Sequence, residues 1–382
     1  MVAIDSYAGG DGRLSPLSTP SATRAVLEAH GIGTKYTLGQ NFLVNDDVLK
    51  KIVALAEVGE NDRILEVGPG IGTLTIALLK HAASVIAIER DPDLPAVLAD
   101  TLHPWREKFA LIEKDALDVT RDDIVSVAST MVEPGGDAGC LDRVSSAANE
   151  TAQWAVSQSE DCLSESRYRV AVPQEELRPS LPSKLVANLP YAVAATVVLD
   201  YFESFPFLDS ATIMVQKEVA DRMVAAVGTK NYGAYTVKLG LYVEPAGRFA
   251  VGPGNFFPPP RVDSAVIRLN RRVPLMADGA PASPEVIAAA ALMADAAFTN
   301  RRKTIANSCK TYFSGRGPIS LGAGPSAQEG APGIVLPDGA AIAERLAAIF
   351  DAATIDPRRR GETLTQQEFL ALGAALLKVT AA

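Results

Sequence analysis

Apolar residues recur with helical spacing first after Asn45, where Val48, Leu49, Ile52 and Leu55 share one face and Asn45 can cap the helix. RILEVG then reads as a buried strand closed by glycine, and residues 73–81 as a helix. SVIAIER (84–90) is a second strand, DPDLPAVLADTL a loop running into a helix, and FALIEKDA (109–116) a third strand. Strand and helix alternating at short range predict a parallel sheet with helices on its faces. The sheet pattern resumes with KLVANLP and SATIMVQ, followed by a helix over KEVADRMVAAV. YTVKLGLYV and VDSAVIRLN read as two further strands, the second alternating Val262, Ser264, Val266 and Arg268 against Ala265, Ile267 and Leu269. After residue 280 the periodicity is purely helical, over 284–297, 301–312, 340–350 and 365–376.

These elements define an α/β protein with a sheet domain over 21–275 and a smaller all-helical C-terminal domain over 280–382. Two stretches interrupt the pattern. Residues 128–182 are rich in Ser, Ala, Glu, Gly and Pro without periodicity, and read as a flexible surface insertion with one short helix near Thr151–Val156. Residues 313–338, containing GRGPISLGAGPSAQEGAPG, read as a second flexible loop. Residues 1–20 are Gly/Ser/Pro-rich and read as a disordered tail.

Composition narrows the class. The 48% hydrophobic content supports a sizeable core. Cys140, Cys162 and Cys309 are widely spaced with no CxxC pair, so neither a disulfide framework nor a metal site is expected. The chain shows no signal-peptide pattern and no long apolar run, which points to a cytoplasmic protein without a membrane partner. The net charge of −9 does not advertise a nucleic-acid partner, yet basic residues gather late in the chain, at Arg271–Arg272, Arg301–Arg302–Lys303 and Arg358–Arg359–Arg360.

Candidate chemistry lies in two places. ILEVGPGIGTLT sets Gly68, Gly70 and Gly72 between a strand and a helix, where glycine lets a ligand approach the backbone. Glu89 ends the next strand, placed to accept from both hydroxyls of a ribose, and Asp115 ends the following one, placed to accept from an adenine amino group. GPGIG in place of GxGxxG, with Glu66 two residues ahead, is similar to S-adenosylmethionine-dependent methyltransferases. The second place is VANLPY (186–191), a strand that ends in an amide, a proline and an aromatic ring. The Asn188 side-chain oxygen and the Leu189 carbonyl can accept from an exocyclic amine, Pro190 holds the backbone, and Tyr191 can stack on a base.

Together LGQNFL (38–43), the glycine loop with its acids, VANLPY, MVQKEVADR, FFPPPRVDSAVIRL and AFTNRRKTIANS resemble, in the same order, the small-subunit (16S) ribosomal RNA adenine-N6,N6-dimethyltransferase family. The resemblance runs from about residue 35 onward. It implies a Rossmann-like class I methyltransferase sheet, S-adenosyl-L-methionine as cofactor, and dimethylation of two adjacent adenosines near the 3′ end of 16S rRNA within an immature 30S subunit. It further implies Gln40, Asn41 and Leu43 at the cofactor, with Asn188 shared between cofactor and target, and Phe256 as a second aromatic wall. RNA contacts would come from Lys217, Arg222, Arg261, Arg301, Arg302 and Lys303 of a monomeric enzyme. After NLPY the chain reads AVAAT, where relatives often have Asn first, and the 115–186 segment is longer than the family's. The alternatives are an adenine-N6 methyltransferase of 23S rRNA or DNA, and a ribosome-assembly factor with little turnover.

Overall fold

The computed structural model describes residues 12–33, 40–131, 180–316, 319–320, 333–334 and 340–381. The helix expected near Thr151, Cys140, Cys162 and most of the 313–338 loop lie outside these residues. In chain order the helices are α1 (Pro20–Ala29), α2 (Asp46–Ala56), α3 (Thr73–Leu79), α4 (Leu94–Thr101), α5 (Arg121–Thr130) and α6 (Ala194–Ser204). They continue with α7 (Lys217–Met223), α8 (Ala234–Gly240), α9 (Pro284–Phe298), α10 (Ile305–Phe313), α11 (Ala340–Ala352) and α12 (Gln366–Ala381). The strands are β1 (Phe42–Leu43), β2 (Arg63–Val67), β3 (Ser84–Glu89), β4 (Phe109–Glu113), β5 (Lys184–Asn188) and β6 (Ser210–Gln216). They continue with β7 (Val243–Val251), β8 (Phe256–Phe257), β9 (Ser264–Arg271) and the short pair β10 (Ile319–Ser320) and β11 (Gly333–Ile334).

The chain divides into two compact units, Met1–Pro190 with Pro253–Pro260, and Tyr191–Gly252 with Arg261–Ala382. In the first unit β4, β3, β2 and β5 lie side by side in that order, all parallel, as the strand–helix alternation predicts. Their inward residues, Ile64, Leu65, Val85, Ala87 and Leu185, are almost wholly buried. Buried on both faces, such strands read as continuous apolar runs. Asn45 caps α2 as expected, its Oδ1 accepting from the Asp47 and Val48 N–H groups at 2.9 and 3.2 Å.

The N-terminal segment departs from the expected disordered tail. Ser15, Leu17 and Ser18 are buried, and Thr19 caps α1 with Pro20 at its first position. The Asp46 carboxylate accepts from the Leu14 and Ser15 N–H groups at 2.8 and 3.2 Å and pairs with Lys50 at 3.0 Å. Burial alone would raise the Asp46 pKa, but Lys50 and the two backbone donors outweigh it and hold the carboxyl below its usual range. One well-supplied acidic side chain thus orders a stretch whose composition reads as loop.

In the second unit β6, β9 and β7 form an antiparallel run in that order, with Ala265 opposite both Val215 and Ala250. YTVKLGLYV is not a single strand: residues 234–240 are helical and extended chain begins only at Val243. Its buried positions, Thr236, Val237, Leu239, Gly240 and Leu241, contain the helical pairs Thr236–Gly240 and Val237–Leu241 as well as the alternation Val237, Leu239, Leu241 that reads as strand. Thr236 helps decide the matter, since its hydroxyl accepts from Gly233 N–H and donates to the Arg222 carbonyl, closing the first turn. At Gly240 the absent Cβ gives the Gln366 side chain of α12 its place, since a Cβ there would lie 1.6 Å from Gln366 Nε2 and the amide would have to turn away. Four C-terminal helices occur, the second beginning at Ile305 instead of the expected 301, and share a core of Met293, Cys309, Phe313, Ile349, Phe350 and Phe369. Cys309 in that core is a free thiol.

Candidate active site

The glycine loop follows β2 with a left-handed backbone: φ is +70° at Gly68, +60° at Gly70 and +88° at Gly72, the N-cap of α3. At Gly70 and Gly72 glycine also makes room, since a Cβ would come within 3.1 Å of the Phe42 ring and of the Leu102 side chain; one on Gly68 would rest in ordinary contact with the Pro190 ring at 3.5 Å. The loop therefore sits directly against the proline of VANLPY and the aromatic of LGQNFL. Thr101 on α4 pins it by donating to the Ile71 carbonyl at 3.0 Å.

Three carboxylates, on β2, at the end of β3 and just after β4, have different surroundings. Glu66 on β2 is 1% exposed, and its Oε2 has no hydrogen-bond partner among the described residues. Burial pushes its carboxyl up to about 8; the Thr75 hydroxyl works against that shift and the Glu89 charge adds to it. Glu89 at the end of β3 is also raised by burial, partly offset by the Asp91 and Arg90 N–H groups, which donate to its Oε1 at 2.8 and 2.9 Å. Asp115 follows β4; its Oδ2 pairs with Arg90 at 2.8 Å and its Oδ1 accepts from the Leu117 N–H at 3.1 Å.

The LGQNFL segment, described from Gln40, reaches both ends of this arrangement. Gln40 Nε2 donates to Asp91 Oδ2 at 2.7 Å. The Asn41 carbonyl accepts from Asn188 Nδ2 at 3.2 Å. That bond commits the amide nitrogen of Asn188 and leaves Oδ1 as the acceptor end of the side chain. Leu43 and Phe256 are buried and face each other across the antiparallel pair of β1 and β8, where Asn45 Nδ2 also donates to Asn255 Oδ1 at 2.8 Å. Phe256 is 4% exposed, whereas the next ring, Phe257, is half-buried beneath the Arg24 guanidinium, 5.3 Å from its centroid. Leu189 is buried, and Pro190 packs on Gly68 as described.

Gln40, Asn41, Leu43, Glu66, the three glycines, Glu89, Asp115, Asn188, Leu189, Pro190 and Phe256 all belong to the first unit. Tyr191 opens the second, where its hydroxyl bonds the Ser264 hydroxyl at 2.6 Å. Burial raises the Tyr191 pKa and the Ser264 bond offsets part of the rise. Ser264 is wholly buried on the central strand of the antiparallel run.

The expected RNA contacts are all in the second unit and are exposed to different degrees of freedom. Lys217 pairs with Asp221 at 2.6 Å, and Arg222 lies over the Tyr235 ring at 5.4 Å. Arg301 pairs with Glu362 at 2.8 Å and donates to the Thr229 carbonyl at 2.9 Å. Arg261, Arg302 and Lys303 are exposed. The basic triplet precedes the helix instead of starting it, because Thr304 caps α10.

Sequence reading missed Asp91 and Ser264, both buried and both bonded to expected site residues. Asp91 had a signal in ERDPD, an acid two residues after the strand-end Glu89. Ser264 looked like one position of an alternating strand.

The residues fit S-adenosylmethionine. A buried carboxyl with an unpartnered oxygen suits a cationic ligand, the left-handed loop leaves its backbone open to close approach, and Glu89 offers a second carboxylate at the end of β3.

A family model for ribosomal RNA adenine dimethylase matches residues 33–317. The chain is 33% identical to the ribosomal RNA small subunit methyltransferase A of Geobacillus sp. (strain WCH70) over 363 residues, covering 95% of this chain and 98% of that protein. It is 32% identical to the protein of the same name from Enterococcus faecalis, over 95% of this chain and 97% of the relative. Among solved structures, a dimethyladenosine transferase from Plasmodium falciparum aligns with a TM-score of 0.56 at 19% identity, over 88% of this chain and 98% of that one, and shares the fold. With its class I methyltransferase core and added helical region, the chain belongs to the ribosomal RNA adenine dimethylase family, S-adenosylmethionine-dependent enzymes that methylate adenine N6 in ribosomal RNA.

Proposed function

We propose that the protein transfers methyl groups to N6 of two adjacent adenosines near the 3′ end of 16S rRNA, within an immature 30S subunit, giving N6,N6-dimethyladenosine. The observation that carries this reading is the oriented amide of Asn188 in VANLPY, fixed by the Asn41 carbonyl with Oδ1 left to accept. The small-subunit relatives, which match nearly the whole chain, favour 16S over 23S rRNA.

S-adenosylmethionine supplies an already activated methyl on a sulfonium. Glu89 and Asp115 would hold its adenosine, and Gln40, Asn41, Leu43, Glu66 and the glycine loop the remainder. The adenine N6 lone pair is delocalised into the ring, so the protein's task is placement and charge stabilisation. Asn188 Oδ1 and the Leu189 carbonyl accept from the two amino hydrogens, which favours a pyramidal nitrogen with its lone pair directed at the methyl. Pro190, packed on Gly68, keeps these acceptors beside the cofactor loop. Tyr191, and by family resemblance Phe256, hold the base by its faces once it leaves the stack. No strong general base is needed, because the methylated ammonium loses its proton readily to solvent. The second transfer proceeds with one hydrogen, and hence one acceptor contact, fewer. Lys217, Arg222, Arg261, Arg301, Arg302 and Lys303 would neutralise the rRNA backbone.

The test is transfer of labelled methyl to unmethylated 30S and 50S subunits, with nucleoside analysis. Dimethyladenosine confined to 16S rRNA supports the reading. Label only in 23S, or tight 30S binding without transfer, turns it toward the large subunit or toward an assembly role.

A further inference from the structure

Glu89 and Asn188 would serve opposite ends of the reaction, the ribose and the target amine. A continuous set of hydrogen bonds joins them inside the first unit. The Asp91 N–H donates to Glu89 Oε1 at 2.8 Å, Asp91 Oδ2 accepts from Gln40 Nε2 at 2.7 Å, and the carbonyl of the next residue, Asn41, accepts from Asn188 Nδ2 at 3.2 Å. Asp91 is at the centre of this set. It is 1% exposed, and its Oδ1 accepts from the Asp93 N–H at 3.1 Å, so its carboxylate has a fixed orientation. A buried carboxylate is costly unless hydrogen-bonded, and here Gln40, 51 residues away, supplies a bond.

We propose that Asp91 is a positioning residue: it clasps Gln40 so that the 40–41 backbone holds Asn188 in its acceptor orientation, and the clasp forms together with the cofactor site around Glu89. The inference rests on the methyltransferase reading above and assigns Asp91 no contact with either substrate.

The clasp has a direct test, because donor and acceptor can be exchanged. Asp91→Asn places an amide opposite the Gln40 amide and removes the acceptor at Oδ2. Asp91→Asn with Gln40→Glu restores one donor and one acceptor with the direction reversed. Full-length proteins are compared by calorimetric titration with S-adenosylmethionine and by single-turnover methyl transfer to 30S subunits. We expect Asp91→Asn to bind the cofactor about tenfold more weakly and to transfer at least tenfold more slowly at saturation, with 30S affinity unchanged, and the exchanged pair to recover to within about threefold of wild type. Gln40→Met takes this donor from the buried Asp91 Oδ2 and any cofactor contact of Gln40 with it, and should lose at least as much should Asp91→Asn fold poorly. Wild-type kinetics in Asp91→Asn or Gln40→Met would overturn the clasp, as would a folded exchanged pair that recovers nothing. Failure of the wild type itself to bind S-adenosylmethionine would instead sink the methyltransferase reading, and the inference with it.

Discussion

Replacing Glu66 by Gln removes a titration while keeping the shape of the side chain, and the structure sets the size of the effect. The folded carboxyl titrates near 8 in place of its ordinary 4.5 because it is buried. Between those values the folded protein holds a proton that the unfolded chain has lost, so unfolding free energy falls as pH rises through that window. The ceiling is 3.5 pKa units at about 1.4 kcal/mol each, or roughly 5 kcal/mol lost between pH 4.5 and 8. Above pH 8 no further loss is expected from this group. If the carboxylate then receives the positive end of the cofactor, binding must expel the proton. At pH 7, below that value, the free protein is mostly protonated at this site, so binding releases most of one proton, and affinity improves up to tenfold per pH unit below about 8 before levelling. The assay is cofactor titration calorimetry at pH 7 in two buffers of different ionisation enthalpy, with denaturant unfolding from pH 5 to 8 alongside. Glu66→Gln should release no such proton and should flatten the difference in unfolding free energy. Equal proton release in wild type and Glu66→Gln would refute the assignment of a neutral, cation-receiving Glu66.

Other outcomes follow from the same geometry. Tyr191→Ala should weaken target binding by about 1–3 kcal/mol through lost base stacking, while Tyr191→Phe keeps most of it; Michaelis constants for 30S separate the two. Gly70→Ala places a Cβ at φ +60° and within 3.1 Å of the Phe42 ring, and should cost about 1–2 kcal/mol or more by denaturant melt, with weaker cofactor binding. Glu203, raised to about 7 by burial and by the Asp200 charge, makes the second unit less stable as pH climbs from 4.5 to 7; Glu203→Gln should remove that slope in chemical denaturation. Neutralising Arg302 and Lys303 together should reduce 30S affinity and its salt dependence with little change in melting temperature, since both are exposed turn residues.

Features whose cause is local were readable in the sequence. The parallel strands, the Asn45 cap, the glycine loop and the C-terminal helices each follow from periodicity or backbone chemistry within a few residues. YTVKLGLYV was not, because its apolar positions satisfy helix and strand spacing at once, and the choice falls to Thr236, Gly233 and a crossing helix. Residues 12–19 read as tail by composition, yet Asp46, some 30 positions later, supplies the acceptor that orders them. The same distance problem hid Asp91 and Ser264, whose significance lies in partners 51 and 73 residues away. Arg301 likewise has partners that local reading does not supply: Glu362 and the Thr229 carbonyl, 61 and 72 residues away, engage the first member of the basic triplet.

The most direct test of the central claim is single-turnover transfer from labelled S-adenosylmethionine to unmethylated 30S subunits by wild type and Asn188→Ala, with the 16S product digested to nucleosides. The account predicts N6,N6-dimethyladenosine near the 16S 3′ end with wild type, and loss of at least a hundredfold in rate with Asn188→Ala at saturating cofactor and 30S subunits. Undiminished dimethylation by Asn188→Ala would contradict the role assigned to the oriented amide, and monomethyladenosine as the sole wild-type product would contradict the proposed reaction.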